Sequence, residues 1–318
     1  MKNLIVNELI KWIKRPSFYV MSGILVLLSI IGVVLTIMVG PMMDGMNSSN
    51  EEQLNWRETL EQENQYLESS IIDGDERETG HLERQLAINE HRLEHNMEPS
   101  SKTSVWSYID ENLGLTSLIT LFVVIIAGGM IASEFTWGTI KLLMIRPISR
   151  SKILVAKYLS VLVFMVIFLA IFFITSFITG AIAFGFDSTP FLLYLNGEVY
   201  EVYPLLFLLL KLGLQSIGIV MFATIAFMIS SVFRNNSLAI GISLFLLFTG
   251  TQITALVSMK FEWAKYSPFA NIHFQTFLDG MPMVAGVNFW FSVVMFFIYF
   301  VILHVVSFLT FVKRDIAA

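Results

Sequence analysis

The residues with the most chemistry to offer are concentrated in one short stretch, Glu134-Phe135-Thr136-Trp137-Gly138-Thr139-Ile140-Lys141, which continues to Arg146-Pro147-Ile148-Ser149-Arg150. An acidic residue, a short amphipathic segment exposing Phe135, Trp137 and Ile140, and a proline-terminated basic run suit docking rather than bond-making. A basic loop that only fixes the orientation of a membrane chain accounts for the same residues. On the residues alone both readings stand. Elsewhere the chemistry is sparse. Lys211 and Gln215 lie one helical turn apart within an apolar run, where polar groups are costly and mark pathways. The pair would line a cavity, or the Lys211 stem would snorkel to the interface. Gln252 and His304 also stand in apolar runs, and local hydrogen bonding, for His304 to Ser307 or a neighbouring helix, is the expectation for both. His91 and His95 have the spacing of metal ligands, with His81 further along, but a solvated charged face is the simpler account.

Positioning such groups falls to membrane-spanning helices. Of 318 residues 55% are hydrophobic and only 14% charged, against roughly a quarter charged in soluble domains. With a mean hydropathy of +0.71, most apolar surface must face lipid, which excludes an ordinary globular protein. A bilayer core of about 30 Å takes about 20 apolar residues in a helix. Six segments qualify, at 17–40, 113–133, 155–186, 203–232, 238–259 and 289–312, giving an all-α integral membrane protein of six spans. The charged residues around the first run and the lack of a small-residue cleavage site after it mark that span as retained. No cysteine is present, so disulfides, thiolate metal sites and cysteine nucleophiles are excluded.

Lys and Arg of short loops stay on the cytoplasmic side. Lys2, Lys11, Lys14 and Arg15, then Lys141 to Lys157, then Arg234, then Lys313 and Arg314 all fall on one side of six spans. Both termini are therefore expected in the cytoplasm. Residues 1–16 place Leu4, Ile5, Leu9, Trp12 and Ile13 on one helical face, with Lys2, Glu8, Lys11 and Lys14 off it, and Pro16 ends the segment. This is an interfacial helix, serving as an anchor or as a docking element. Residues 41–112 would form an external antiparallel helical hairpin. Leu60 and Leu67, then Leu82, Leu86 and Leu93, make its seam, Asp73-Gly74-Asp75 its turn, and Pro99 its end. Residues 187–202 form an external loop and 233–237 a cytoplasmic turn. Residues 260–288, aromatic and proline-rich, either dip back into the outer leaflet or lie on the headgroups. Residues 313–318 form a cytoplasmic tail.

The loop Glu134, Gly138-Thr139-Ile140-Lys141, Pro147-Ile148-Ser149-Arg150, followed by Lys157, resembles the first cytoplasmic loop of the ABC-2 type transporter permeases. The order of parts is similar along nearly the whole chain, to the permeases for bacteriocins, lantibiotics, bacitracin-like antibiotics or sodium among others. The resemblance implies an ABC-2, type V exporter-like fold in a bacterial plasma membrane. It also implies a second permease subunit, identical or homologous, and two copies of a separate ABC ATP-binding subunit that carry ATP and Mg. Glu134, Phe135, Trp137, Gly138, Thr139, Ile140, Lys141, Arg146 and Arg150 would then be contacts of a coupling loop. Leu9, Trp12 and Ile13 would belong to the interfacial helix, and Lys211 and Gln215 to a pathway.

The omissions agree with this reading. The chain has no G-x-x-x-x-G-K-[ST] phosphate loop, so ATP chemistry would come from another chain. It also lacks H-E-x-x-H, G-x-S-x-G and any pair of membrane aspartates, which speaks against a membrane-embedded enzyme. No cofactor, metal or nucleic-acid partner is expected for this chain itself. The competing reading is a membrane sensor or immunity scaffold whose external hairpin binds a ligand and signals to a cytoplasmic partner.

Overall fold

The structure, a computed structural model, describes residues 1–47, 56–73, 76–99, 103–140, 148–195, 197–280, 282–284 and 286–312. The helices are α1 (Lys2–Ile13), α2 (Pro16–Asn47), α3 (Trp56–Asp73), α4 (Glu76–His95), α5 (Val105–Asn112), α6 (Thr116–Gly129), α7 (Ala132–Thr136), α8 (Arg150–Phe184), α9 (Pro204–Val232), α10 (Asn236–Ser258) and α11 (Phe289–Val312). Six segments are long and apolar enough to span a membrane: Pro16–Val39, Val105–Gly129, Arg150–Phe184, Pro204–Val232, Asn236–Ser258 and Phe289–Val312. The fold is predominantly helical and multi-pass. It is not purely helical among the described residues, because the loop expected at 187–202 contains an antiparallel pair, β1 (Phe191–Leu195) and β2 (Glu198–Val202). Phe191 faces Val202 and Leu195 faces Glu198, and Gly197 at φ +90° supplies the left-handed turn residue that a tight hairpin requires.

The second span differs from the expected unbroken 113–133. It starts earlier, at α5, where Ser104 and Ser107 cap the helix reciprocally. It passes through a short 3-10 turn, Leu113–Leu115, into α6, and breaks again at Met130 and Ile131 before α7. Ser230 of α9 holds that second break. Its hydroxyl accepts from the amides of Ile131 and Ala132, each at 3.0 Å, which satisfies donors that a bent membrane helix would otherwise leave bare.

The second span is also the centre of the bundle. α6 packs on α8, α9 and α10, around fully buried Phe164, Phe168, Phe172 and Phe227. Gly128 and Gly129 admit α10 closely, since a Cβ there would lie 3.4 Å from Ile240 and 3.2 Å from Asn236 respectively. By contrast α11 buries only Ser292, Ser307 and Phe311 and leaves most of its apolar surface outward, as a lipid-facing helix does.

Between α10 and α11 the chain runs through three 3-10 turns, Glu262–Tyr266, Pro268–Asn271 and Phe274–Phe277, packed on α9, α10 and α11. The Ile272 carbonyl would sit 2.8 Å from a Cβ on Gly218, a point about 21 Å along α9 from Pro204. Irregular backbone in such a place needs partners. Asn271 provides them, donating to the carbonyls of Lys265 (2.7 Å) and Ser267 (2.9 Å) while accepting from Ser292 (2.9 Å).

α3 and α4 run antiparallel, with Leu60 and Leu67 buried and Gln85 donating to Glu63 at 2.7 Å. The sequence-predicted turn at Gly74 and Asp75 lies outside the described residues, as do Lys141 to Pro147 and the tail 313–318.

Candidate functional site

At the end of the bundle that carries the chain's N-terminal helix, four ionic side chains from three helices meet. Lys157, in the third turn of α8, is 1% exposed, and Glu134, in α7, is 2% exposed. Lys157 Nζ lies 3.1 Å from Glu134 Oε1, 3.0 Å from Glu8 Oε2 of α1 and 3.3 Å from the Met130 carbonyl. The contact to Glu8 is one of charge rather than a well-aligned hydrogen bond. Lys11 of α1 also pairs with Glu134 Oε1, and the Thr139 hydroxyl donates to Glu134 Oε2. Two carboxylates thus face two ammonium groups, and the neutral sum is what makes burial of Glu8, Glu134 and Lys157 beside the half-exposed Lys11 tolerable.

Burial alone pushes the Glu134 carboxyl upward. The charge of Lys157, the hydrogen bonds from Lys11 and Thr139 and the charge of Lys11 outweigh it and hold the group at about 2. Glu134 is therefore an anion across the physiological range.

The cluster continues into a cation–π stack. The Arg15 guanidinium lies 4.0 Å from the Trp12 ring centroid and 4.7 Å from that of Trp137. Trp12 in turn packs edge-on to Phe164 of α8. Thr136 accepts from the Asn236 amide at 3.0 Å, so α7 is also fixed to the start of α10. One continuous set of contacts therefore joins α1, α7, α8 and α10, and Lys157 of α8 holds a carboxylate of α1 and one of α7.

At the opposite end a half-enclosed cavity of about 620 Å³ lies between α4, α5, β1 and α9. Lys211 pairs with Asp110 at 2.7 Å on its wall. α4 forms a roof attached on both sides of the cavity. His81 Nδ1 lies 3.2 Å from the Asp279 carbonyl and His91 Nε2 lies 3.4 Å from Glu201. Gly80 and Gly280 come so close that a Cβ on Gly280 would sit 2.7 Å from the Gly80 carbonyl oxygen.

Residues 87–317 match a family model described as a protein of unknown function, DUF2705. The chain belongs to the DUF2705 family. It is 41% identical over 322 aligned residues to the uncharacterized protein YhcI of Bacillus subtilis strain 168, covering 100% of both chains. It is also 26% identical over 212 residues to the uncharacterized membrane protein YdbK of the same organism, covering 66% of this chain and 82% of that one. The matched family region contains Glu134, Lys157 and Lys211 but not α1, which the full-length likeness to YhcI includes.

The structure of this DUF2705 chain redistributes the residues singled out by sequence. Of the three side chains expected to be exposed, only Trp137 is so, at 53%. Phe135 packs partly against the core and Ile140 is buried at 5%. Glu134 is buried too and binds within the protein, so it is not an open contact. The reasons differ: Glu134 turns inward to Lys11 of α1 and Lys157 of α8, while Ile140 is buried as part of the apolar core. Gly138 takes φ +69° and turns the chain after α7. Arg150 donates to the Val312 carbonyl at 3.1 Å, at the end of α11. Lys141 and Arg146 lie outside the described residues.

In α1 the expected apolar face is partly right. Trp12 is buried, and Leu9 and Ile13 pack on the core, but Glu8 is buried beside them because Lys157 compensates its charge. Lys211 reaches the cavity, paired with Asp110, while Gln215 is not among the residues lining it. His304 bonds the Phe300 carbonyl at 2.8 Å and packs on Tyr158, in place of Ser307. His91 and His95 stack at 4.1 Å, and among the described residues no group of three His, Cys, Asp or Glu is placed to hold a metal. Glu8, Lys11, Arg15, Asp110 and Lys157 were missed as site residues. For Lys157 the signal was available, as a lysine near the start of a long apolar run.

Proposed function

We propose that the chain is the membrane-spanning permease subunit of an ATP-driven ABC-2 type exporter in a bacterial plasma membrane, with both termini cytoplasmic. Its chemistry would be supplied by a separate ATP-binding subunit in two copies, holding ATP and Mg, and it would work beside a second permease subunit. The observation that carries this reading is the Glu134 hub. A helix that can be gripped from the aqueous side through Trp137 is wired by Lys157 and Glu134 to the third span and by Lys11 and Glu8 to the N-terminal helix. The clustering of Lys and Arg at the same end supports the orientation.

In this account, closure of the partner ATPase pair pushes on the exposed Trp137 and on α1, and the charge cluster passes the push to α8 as a unit. Ionic contacts of this kind move packed helices together and do not let them slide independently. The test is a tagged preparation from native membranes. An ATP-binding protein should copurify, and Trp137→Ala should reduce the ATPase rate of the complex while leaving the fold intact. A full ATPase rate in that variant would speak against the reading.

The second reading is a membrane sensor, favoured by the roof of α4 fixed over a cavity by His81 and His91. Ligand-dependent protection of α4 with no dependence on an ATPase partner would favour it.

A further inference from the structure

The cavity beneath α4 lies at a defined level of the bundle. Trp106 borders it and packs against Phe186 and Tyr203, both well exposed at the ends of α8 and α9. Exposed aromatics at the ends of apolar spans mark the headgroup layer. Its deeper wall, Asp110 and Lys211, is only about 8 and 10 Å along α5 and α9 from the ends of those spans. The cavity is therefore at the depth of lipid headgroups, not in bulk solvent or in the bilayer core.

Its lining is dipolar. Arg84 and Arg92 of α4 bring two guanidinium groups to the roof side. On the other side Glu111 is exposed and makes no ion pair among the described residues, while its neighbour Asp110 is committed to Lys211. In all, three basic and five acidic side chains line the space, an excess of negative charge that disfavours a purely anionic guest. The volume falls within the roughly 300–1,000 Å³ of small-molecule sites.

We infer that this cavity binds the headgroup of a zwitterionic phospholipid carrying a primary ammonium, taken from the adjoining leaflet. The phosphate accepts from the Arg84 guanidinium, and the ammonium donates to the Glu111 carboxylate. A primary ammonium can make those hydrogen bonds, whereas a trimethylammonium has no N–H to give. A glycerol headgroup brings the phosphate with no cation to answer the carboxylates.

This inference goes beyond the transport reading and does not need an ATPase to test it. The full-length protein is purified, delipidated and offered phosphatidylethanolamine, phosphatidylcholine or phosphatidylglycerol in mixed micelles, and retained lipid is counted by native mass spectrometry. Phosphatidylethanolamine is expected to be retained best. Arg84→Gln and Glu111→Gln should each weaken its retention about tenfold, the scale of one lost charge-assisted hydrogen bond, and Arg84→Lys should restore part of it. Hydrogen exchange of α4 in each variant establishes that the roof is still docked. Equal retention of phosphatidylcholine or preferred retention of phosphatidylglycerol overturns the inference. So does water-soluble phosphoethanolamine binding as tightly as the lipid, because the source is then a free zwitterion and not the leaflet.

Discussion

Lys157 and Glu134 meet at 3.1 Å inside the protein, one from the third span and one from the short helix that follows the second, and neither reaches solvent. Removing one partner of a buried pair leaves an uncompensated charge and costs about 3–5 kcal/mol. Lys157→Met should therefore destabilise the protein by about 3 kcal/mol or more. The double variant Glu134→Gln, Lys157→Met leaves Glu8 and Lys11, a set with no net charge, and should cost less than the sum of the single changes. Thermal unfolding in detergent, read as a double-mutant cycle, checks this. Additive costs would mean that the two groups do not act as a pair.

The same pair makes stability depend on acid. The Glu134 carboxyl is held down at about 2 in the folded protein, against 4.5 as its ordinary value. Between those values the unfolded chain binds a proton that the folded one refuses, so stability rises with pH there. The contribution, of order 3 kcal/mol, is complete above about pH 4.5 and disappears as pH falls toward 2. Glu134→Gln should flatten that part of the stability profile, measured by denaturant titration at several pH values.

Trp137 sits on the other side of the balance between stability and coupling. It is exposed and contributes one face of the Arg15 stack, which is worth about 0.5–1 kcal/mol at such a site. Trp137→Ala should leave the melting temperature nearly unchanged while lowering partner-dependent ATPase activity. Ile140→Glu is a poor substitute, because it buries a charge and would unfold the loop, confusing lost coupling with lost structure.

Ser230 tests the break in the second span. Its hydroxyl is the acceptor for two amides, of Ile131 and Ala132. Ser230→Ala should cost about 1–3 kcal/mol through those unsatisfied donors. Hydrogen exchange should speed up at residues 131–134 before it does in α6. A uniform change along α6 would place the weakness in packing rather than at the break.

Hydropathy made most of the architecture legible, because six apolar runs of spanning length leave little choice about where the backbone goes. Where the reading of the chain failed, a charge was compensated by a residue far away in sequence. Asp110 and Glu111 push the apparent start of the second span to 113. The structure starts it at Val105 because Asp110 finds Lys211, 101 residues on. Glu8 and Lys157 look like polar-face and topology residues until they are placed together. Glu134 and Trp137 were recognisable by residue type, yet which of them faced inward depended on lysines of other helices. The β1–β2 pair was readable in principle, since Asn196-Gly197 between β-forming residues is a strong short-range hairpin signal.

The central claim is that this chain is driven by another. The most direct measurement is the composition and ATPase activity of the assembly isolated from native membranes on the tagged chain. The account predicts two copies of an ATP-binding subunit, and ATP hydrolysis by the assembly that Trp137→Ala slows. A chain isolated without any nucleotide-binding partner, and active in flux or ligand response by itself, would contradict it.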